Sequence, residues 1–488
     1  MSISAGKARG AVLFAAVLAS SCSFAPKYVK PEVAAPVAFK ELPSSTSADG
    51  TMWSPSDPQD AQARGKWWKL FGDPTLDGFE ERLSGANQNI AAAASAFLAA
   101  RAVVAQARSQ YLPTLGTSPG VTRSRIGATP YGVSANSSFT EYTLPFDASW
   151  QPDFWGKTRN AVAASAFAAQ ASAADLENVR LTAHAELAVD YYELRAQDAL
   201  EVLLDSAAAA DLEALSLAQT LNKAGLDSDQ AVAQTQAQLE TAHALSDNAR
   251  ILRAQYEHAI ATLLGVSASA FSIEVEPFQA PAPYFPVGIP SQLLERRPDI
   301  AAAERSVAAA NAQIGVARAA YFPSVTLSAS AGFESFSPST WLSWPSRFWS
   351  LGAGASETIF DGGLRRAVAR QAVAARDEAA AQYRQTVLVA FQQVEDGLAA
   401  VRLSAQDVRS QDAAADAARR NLAEEEARYQ AGLDPYVSVV NDQTALVALE
   451  QTALGYRLQQ MTATVGLIEA LGGGWNTSTL PQPKGISR

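Results

Sequence analysis

The chain has 488 residues, of which 48% are hydrophobic, and its formal net charge is −11. An acidic chain lacks the basic surface that general nucleic-acid binding requires, so that class of function is excluded. Its single cysteine, Cys22, excludes an intrachain disulfide and a cysteine metal cluster. The three histidines lack close metal-ligand spacing, and no set of acid, base and nucleophile predicts a catalytic site. We therefore expect no metal and no enzymatic activity.

The N-terminus is typical of an export signal, which we place at residues 1–21. Two basic residues precede the apolar run 11–19, which is shorter than the roughly 20 residues of a membrane-spanning helix. The run ends in small residues before Cys22, which predicts a secreted protein with a covalent lipid on this cysteine and no other cofactor. Leu18 lies one place further from the cysteine than in most lipoprotein signals, so an ordinary signal with an incidental cysteine is the alternative.

The second half of the chain repeats the first, and this is the most informative feature of the sequence. Landmark residues recur at nearly constant offsets of 206 to 210 positions, which indicates two halves of one architecture. The recurring pairs are Arg108 and Arg318, Tyr111 and Tyr321, Pro113 and Pro323, Gly156 and Gly362, Arg159 and Arg365, Gly225 and Gly432, and Leu264 and Leu471.

Each half is predicted to contain the same elements in the same order. A helix over about 75–110 or 291–320 is followed by a proline and by a stretch rich in Ser, Thr, Gly and aromatics, which predicts a β-hairpin. A very long helix, a glycine turn and a returning helix come next. A helix of roughly 60–70 residues would be about 100 Å long. We predict no membrane-spanning helix after the signal.

The long helices carry the spacing of coiled-coil seams. Val387, Phe391, Val394 and Leu398 alternate steps of four and three, and apolar residues from 440 to 468 recur every seven positions. This spacing predicts lateral packing between helices. An ordinary coiled-coil rod would show the same spacing.

The candidate strands favour a membrane wall over a plain rod. Apolar and polar residues alternate from Tyr142 to Trp150 and again from Val325 to Phe333, which is typical of a membrane β-barrel, although a soluble core allows it too. Tryptophans near the second hairpin loop are typical of membrane interfaces. Two hairpins give four strands, which cannot close a barrel, so closure in lipid requires several copies.

Six motifs in this order resemble the TolC-type outer-membrane factor family, in its lipoprotein branch, over nearly the whole chain. They are Cys22–Pro31, Trp67–Leu76, Asp153–Lys157, Leu293–Ile300, Phe360–Gly363 and Ala470–Trp475. The resemblance implies a mixed α/β membrane protein that forms a homotrimer. Twelve strands, four from each subunit, would form an outer-membrane β-barrel that continues into a long periplasmic α-helical barrel.

The repeat and the resemblance together predict the domain organisation, with a belt around the helical barrel built from segments outside the repeats. The predicted order is a signal peptide at 1–21, a lipid-anchored belt segment at 22–66, repeat 1 at 67–265 with a β-hairpin at about 113–151 and a helical turn near 225, a linker and belt region at 266–290, repeat 2 at 291–472 with a β-hairpin at about 323–360 and a helical turn near 432, and a C-terminal belt segment at 473–488.

The resemblance also implies where partners bind. The glycine turns lie farthest from the strands along each half, and the family's contacts with a periplasmic adaptor lie at these turns. Gly225, Leu226, Gly432 and Leu433 are therefore the candidate adaptor-docking residues. The alternative is that they only reverse the chain. The adaptor would connect the channel to an inner-membrane RND-type pump that supplies the energy.

The resemblance implies a periplasmic gate in the helix after the second turn, where acidic side chains form a ring. Alignment on the turn places Ser438 and Asn441 at the constriction. Related channels often have Asp at the latter position, whereas this chain has Asn441 followed by Asp442. Asp442 faces the pore only if the helix rotates.

The predicted function is passive conduction of small molecules, such as drugs and toxic compounds, from the pump to the exterior. Within the channel class, type I protein secretion is the alternative. A coiled-coil structural lipoprotein of the envelope is a second alternative, which the alternating strands disfavour. A secreted enzyme is a third, for which the sequence offers no catalytic constellation.

Overall fold

A small antiparallel sheet joined to long helical hairpins makes up the described part of the chain. The computed structural model describes residues 24–41, 66–125, 138–226, 228–278, 282–283 and 296–482. Cys22 and the predicted signal peptide lie outside these residues.

The twelve main elements of the described residues follow the order that the sequence predicts in each half. Short 3₁₀ helices lie before, between and after these elements, the first at Trp67–Phe71. The elements are α1 (Pro74–Ala86), α2 (Gln88–Ser109), β1 (Thr114–Thr117), β2 (Gly120–Arg125), β3 (Ser138–Trp150), α3 (Lys157–Lys223), α4 (Asp229–Leu263), α5 (Pro298–Ala319), β4 (Ser324–Ser335), β5 (Arg347–Ser356), α6 (Leu364–Gln430) and α7 (Tyr436–Ala470).

The single helix predicted over 75–110 is wrong, because the structure breaks it into α1 and α2 at Asn87. The backbone of this residue is extended, and its Oδ1 accepts a hydrogen bond from the N–H of Ile90 at 3.0 Å, which caps α2. Its Nδ2 donates to the carbonyl of Leu263, the last residue of α4, at 2.9 Å. One buried side chain therefore starts one helix and satisfies the end of another.

The prediction that no later segment is a candidate membrane span is also wrong. The stretch Pro74–Ser109 passes the test of length and apolar composition for a membrane-spanning helix. Its apolar character comes largely from alanine in α2, and the stretch includes the break at Asn87. Val104 of α2 is buried against Ala169 of α3, as in a packed helix pair. One such stretch is weak evidence for a span.

The strands form one antiparallel sheet in which β1 and β2 both pair with β3, followed by β4 and β5. The first hairpin therefore has three strand segments instead of the two predicted. Both segments keep one register against β3, so the interruption at 118–119 is local. Pro119 lies in this interruption, and Pro145 of β3 lies opposite position 118. Neither proline supplies an N–H to the ladder, which explains the break.

The two faces of the sheet differ in chemistry, as the alternation predicts. Leu115, Ala148, Ala329 and Leu351 form one row of cross-strand partners, and both leucines are 76% exposed. We call this side the apolar face. The opposite, polar face includes Thr114, Thr122, Glu141, Thr143, Asp147, Ser149, Thr326, Ser328, Ser330, Glu334 and Ser350.

The coiled-coil spacing corresponds to burial in the structure. Helices α3 and α6 have 67 residues each. Val387, Phe391, Val394 and Leu398 lie buried in one cluster with residues of α5 and α7. Lateral packing of the long helices, predicted from the spacing, is therefore confirmed at these positions.

Each half has a tight joint where its returning helix ends. Gly265 and Gly472 follow α4 and α7 with φ of +65° and +89°. A Cβ on Gly265 would lie 2.5 Å from the carbonyl oxygen of Ala86, and a Cβ on Gly472 would lie 2.0 Å from that of Arg296. Only glycine allows this approach and this backbone conformation together.

The second joint uses an arginine where the first uses an asparagine. Arg297 donates from Nη1 to the carbonyl of Ala470, the last residue of α7, at 3.0 Å, and to Oε1 of Gln393 at 2.8 Å. Its Nη2 lies 2.6 Å from Oδ2 of Asp299. The guanidinium therefore replaces the missing intrahelical donors at the end of α7 and keeps a carboxylate partner.

The largest apolar cluster connects the start of repeat 1 to α3. Trp67 and Trp68 are buried there, and Trp68 stacks on His184 with ring centroids 4.4 Å apart. Oε2 of Glu80 lies 2.5 Å from Nδ1 of His184. Burial raises the pKa of Glu80 and lowers the pKa of His184, because it penalises the charged form of each side chain.

The described parts of the segments outside the repeats pack against the long helices. Phe39 belongs to the buried cluster of α6, and Phe278 packs against the cluster of Trp67. Trp475 and Leu480, which follow α7, contact a cluster that includes residues of α3 and α5. These contacts position the helices around the two joints.

We expect Gly472→Ala to destabilise the protein by several kcal/mol, because its Cβ would overlap the carbonyl of Arg296. Gly432→Ala is the matched control, since φ there is +72° and nothing lies within 4 Å of a Cβ. The control should lose only about 1–2 kcal/mol of stability, which is the cost of the left-handed backbone conformation for a residue with a Cβ. Thermal unfolding of the two purified variants measures the difference, and equal losses would contradict the close approach at Gly472.

Candidate functional site

The turn between α3 and α4 exposes a leucine at its apex. Gly225 has φ of +71°, and its N–H donates to the carbonyl of Asn222 at 2.9 Å. The N–H of Leu226 donates to the carbonyl of Leu221 at 2.9 Å. This is the hydrogen-bond pattern of a glycine-terminated helix end. The backbone is satisfied internally, while the side chain of Leu226 is 76% exposed.

The turn between α6 and α7 has the same geometry. Gly432 has φ of +72° and donates to the carbonyl of Tyr429 at 2.9 Å, and Leu433 donates to the carbonyl of Arg428 at 3.0 Å. Leu433 is 68% exposed. The Arg428 guanidinium pairs with Asp434 and holds the pKa of that carboxyl below its ordinary value. The structure thus places the four candidate docking residues in two equivalent turns with exposed leucines.

The two turns differ in the contact that connects their flanking helices. In the first, Nδ2 of Asn222 donates to Oδ1 of Asp229 at 3.0 Å. In the second, at positions 207 residues later, Tyr429 and Tyr436 pack edge to face with ring centroids 4.9 Å apart. Each turn therefore exposes a leucine, which accompanies a polar contact in the first turn and an aromatic contact in the second.

The candidate gate residues lie in the first two turns of α7. Ser438 is half-buried and Asn441 is exposed, three positions further along the helix, so they share a face. Oδ2 of Asp442 accepts a hydrogen bond from Nδ2 of Asn421 in α6 at 2.6 Å. Asp442 therefore interacts with the neighbouring helix, and Asn441 has the more open position.

The start of the described chain lies against the base of the sheet. Phe24 stacks on Phe322 with ring centroids 4.3 Å apart, and Trp155 stacks on Phe322 at 5.0 Å. Nε1 of Trp155 donates to the carbonyl of Pro323, just before β4, at 2.7 Å. This stack fixes Phe24 at the junction between the helices and the sheet.

Sequence reasoning missed two features of these regions. The joint made by Asn87 and Arg297 was not predicted, although both residues precede a helix at corresponding positions of the repeat. The stack of Phe24, Trp155 and Phe322 was also not predicted. Its aromatic residues are visible in the sequence, but they lie 131 to 298 positions apart along it.

Comparison with known proteins decides the family. Residues 81–266 and 289–473, one segment in each repeat, match the family described as outer membrane efflux protein. This chain belongs to the outer membrane efflux protein family. The two matched segments agree with the internal repeat found in the sequence.

Curated relatives of this outer membrane efflux protein match over nearly their whole length. The pyoverdine export outer membrane protein OpmQ of Pseudomonas aeruginosa is 31% identical, over 96% of this chain and 97% of that protein. The toluene efflux pump outer membrane protein TtgF of Pseudomonas putida is 30% identical, over 95% of this chain and 97% of that protein. The solved outer-membrane channel OprN superposes with a TM-score of 0.85 at 28% identity, over 93% of this chain and all of that one.

These matches confirm several predictions from the sequence. The family, the fold class and the outer-membrane location agree with the relatives and with the solved channel. The function as an outer-membrane efflux channel agrees with them as well. The helical hairpins of the efflux protein are therefore periplasmic. The docking and gate residues stay predictions.

We expect the double variant Leu226→Asp/Leu433→Asp to lose at least about 90% of adaptor capture in a crosslinking assay, since charge replaces the apolar side chain at each apex. Thermal stability should not change, because both leucines are exposed and make no core contact. Val29→Asp is the control, since Val29 is 73% exposed and lies elsewhere. Unchanged adaptor capture by the double variant would show that these turns only reverse the chain.

Proposed function

We propose that this chain is one subunit of a homotrimeric duct that conducts small molecules passively through the outer membrane. The single observation that carries the proposal is the sheet, in which β1 and β2 share one strand position beside β3, β4 and β5. Among the described residues, these four strand positions have one exposed apolar face and two unpaired edges. In lipid, each unpaired backbone N–H or C=O group costs several kcal/mol. Pairing β5 of one copy with β1 and β2 of the next removes both edges.

Three copies give twelve strands, which is the smallest count consistent with the resemblance and with an open lumen. The polar face of the sheet would then line the lumen, and the apolar face would contact lipid. The long helical hairpins of the three copies would likewise pack side by side and form a periplasmic tunnel. Their exposed apolar residues, including Leu388 at 55% exposure, would find partners in neighbouring copies.

We also propose that a periplasmic adaptor docks on the two turns and connects the duct to an inner-membrane pump of the RND type. The energy for transport would come from the pump, since the channel has no catalytic role in this proposal and needs no cofactor. Relatives at nearly equal identity are named for pyoverdine export and toluene efflux, which are chemically different cargoes. This favours a duct that passes small molecules without selecting among them.

The gate proposal concerns the start of α7. Asn441 is exposed and shares a face of this helix with the half-buried Ser438, whereas Asp442 accepts a hydrogen bond from Asn421 of α6. Three copies of Asn441 would form an uncharged polar ring at the constriction. Such a ring lacks the mutual repulsion and the cation attraction of three carboxylates.

Reconstitution in planar bilayers tests the proposed function. The purified chain should be a trimer in detergent and should form single channels of uniform conductance. Asn441→Asp should raise the cation-to-anion permeability ratio by about twofold or more, because it adds three carboxylates at the constriction. Asp442→Asn is the control and should leave selectivity nearly unchanged. A stable monomer without conductance would overturn the function, and equal selectivity in both variants would overturn the gate alone.

The lipid anchor is a separate proposal. Phe24 is fixed at the base of the sheet by its stack on Phe322. Two residues span at most about 7 Å, so acyl chains on Cys22 would enter the membrane beside the barrel without further chain. The predicted lipidation therefore agrees with the position of the first described residues.

Replacing Cys22 with serine tests the anchor. The variant should lose incorporation of labelled palmitate completely, because no other cysteine exists in the chain. It should still form trimers, since the sheet edges are unchanged. Serine variants at exposed positions outside the signal, such as Val29→Ser, should keep the label. Unchanged labelling of Cys22→Ser would contradict the assignment.

A further inference from the structure

The second joint borders a cavity of about 560 Å³. Its walls come from α3, α6 and α7, and its end is formed by Arg297 and by the residues that begin α5. Cavities of this volume are typical of sites for small organic molecules. The cavity is formed within one chain, beside the point where α7 ends and α5 begins.

The cavity opens where the second half has small residues in place of the large ones of the first half. Helices α3 and α6 have bounds 207 positions apart, as do α4 and α7, so residues at this offset are equivalent. In the first half, Glu193 and Tyr256 hydrogen-bond each other. Their equivalents, Ala400 and Ala463, line the cavity. Gly466 lines it too, and nothing lies within 4 Å of a Cβ placed there.

The lining of the cavity has an excess of negative charge. Among the described residues that line it, Arg297 is the one basic residue, and it contacts both carboxylate oxygens of Asp299, at 3.0 and 2.6 Å. Glu469 and Asp396 also line the cavity, and in the described chain neither has a basic side chain within salt-bridge distance. Two carboxylates therefore remain without a cation.

Glu469 is the more enclosed of these two acids. It is half-buried, and its Oε1 accepts a hydrogen bond from Oγ1 of Thr182 at 3.0 Å. Burial raises the pKa of Glu469, because a carboxylate that is partly removed from water loses solvation of its charge. The charges of Asp299 and Glu186 raise this pKa as well, whereas Thr182 and Arg297 lower it. A cation beside Glu469 would offset the unfavourable surroundings of its charge.

The chemistry of the lining favours an organic cation over a metal ion. The described residues contain no group of three or more acidic, histidine or cysteine side chains placed to hold a metal. The alanines and Gly466 instead form an apolar surface beside the two acids. A ligand that matches this lining has a cationic group and an apolar body.

The cavity lies on the side of α6 that faces away from the N-terminal segment. The backbone N–H groups of Lys40 and Glu41 donate to the carboxylate of Glu395 at 2.8 and 3.0 Å, so this segment covers one side of the helix. Gly397 and Ala400 line the cavity and lie roughly 140–160° around the helix from Glu395. With the N-terminal segment in a belt outside the ring, the cavity faces the lumen.

We propose that this cavity binds organic cations, with the cationic group beside the carboxylates of Glu469 and Asp396 and the apolar body against Ala400, Ala463 and Gly466. The position of the site in the lumen rests on the proposed function, whereas binding itself does not. In the duct, the site raises the local concentration of cationic solutes and leaves uncharged cargo unaffected.

Binding of ethidium to the purified full-length protein tests the site. At low ionic strength, with empty detergent micelles as the blank, the fluorescence of this organic cation should rise in a saturable manner. D396N/E469Q should bind ethidium at least about tenfold more weakly, because two charge–charge contacts are lost. An uncharged phenanthridine of the same ring size should bind the wild type at least about tenfold more weakly, for the same reason.

Two further variants separate the cavity from general negative charge. D407N/E424Q removes the same charge from exposed positions of α6 and should bind ethidium as the wild type does. G466L fills the cavity from its open side and should also bind ethidium at least about tenfold more weakly, since the ligand and the leucine compete for one space. Its melting temperature should not fall, because leucine favours a helix more than glycine does and meets no atom at its Cβ.

Equal binding of ethidium by the wild type and D396N/E469Q would overturn this inference. Equal binding by the wild type and G466L would do the same, as would equal affinity for the charged and uncharged probes. A wild-type chain that binds ethidium as a stable monomer without conductance would keep the site and overturn the proposed function. A conducting trimer that does not bind ethidium would overturn the site alone.

Discussion

The requirement that every backbone polar group in lipid be hydrogen-bonded governs this structure. The sheet of one chain satisfies β3 and β4 on both sides, but it leaves one side of β1, β2 and β5 without a partner. On the apolar face of the sheet, Leu115 and Leu351 are each 76% exposed. Such a sheet is stable in a membrane only as part of a closed ring. The structure of one subunit therefore already requires assembly with other copies.

The membrane sheet is connected to the periplasmic helices twice, once in each half of the repeat, and the joint in each half has the same construction. In each half, a glycine with positive φ ends the returning helix against the start of the shorter helix. A polar side chain, Asn87 or Arg297, then hydrogen-bonds the last carbonyl of that helix. The joint fixes three helices at one point, and the 67-residue helices α3 and α6 extend from it towards the turns at Gly225 and Gly432.

Different regions of the efflux protein bury or expose different kinds of side chain. Leu115 and Leu351 lie on one face of the sheet, and the acidic residues Glu141, Asp147 and Glu334 lie on the other. The middle of the chain buries aromatic residues such as Trp67 and Tyr191. In the two glycine turns, the backbone N–H groups are hydrogen-bonded within the turn, and Leu226 and Leu433 are exposed.

The sequence by itself determined the repeat, the alternating strands, the glycine turns and the coiled-coil seams, because each of these is a local or periodic property of the chain. It predicted the long helices, and it placed Gly225 and Gly432 at turns that the structure shows with positive φ. Only the tertiary structure decided the break at Asn87, since the reason for it is the carbonyl of Leu263, 176 positions away. It also decided that Asp442 bonds to Asn421 and that Phe24 lies on Phe322, because contacts between distant residues follow from packing and leave no period in the sequence.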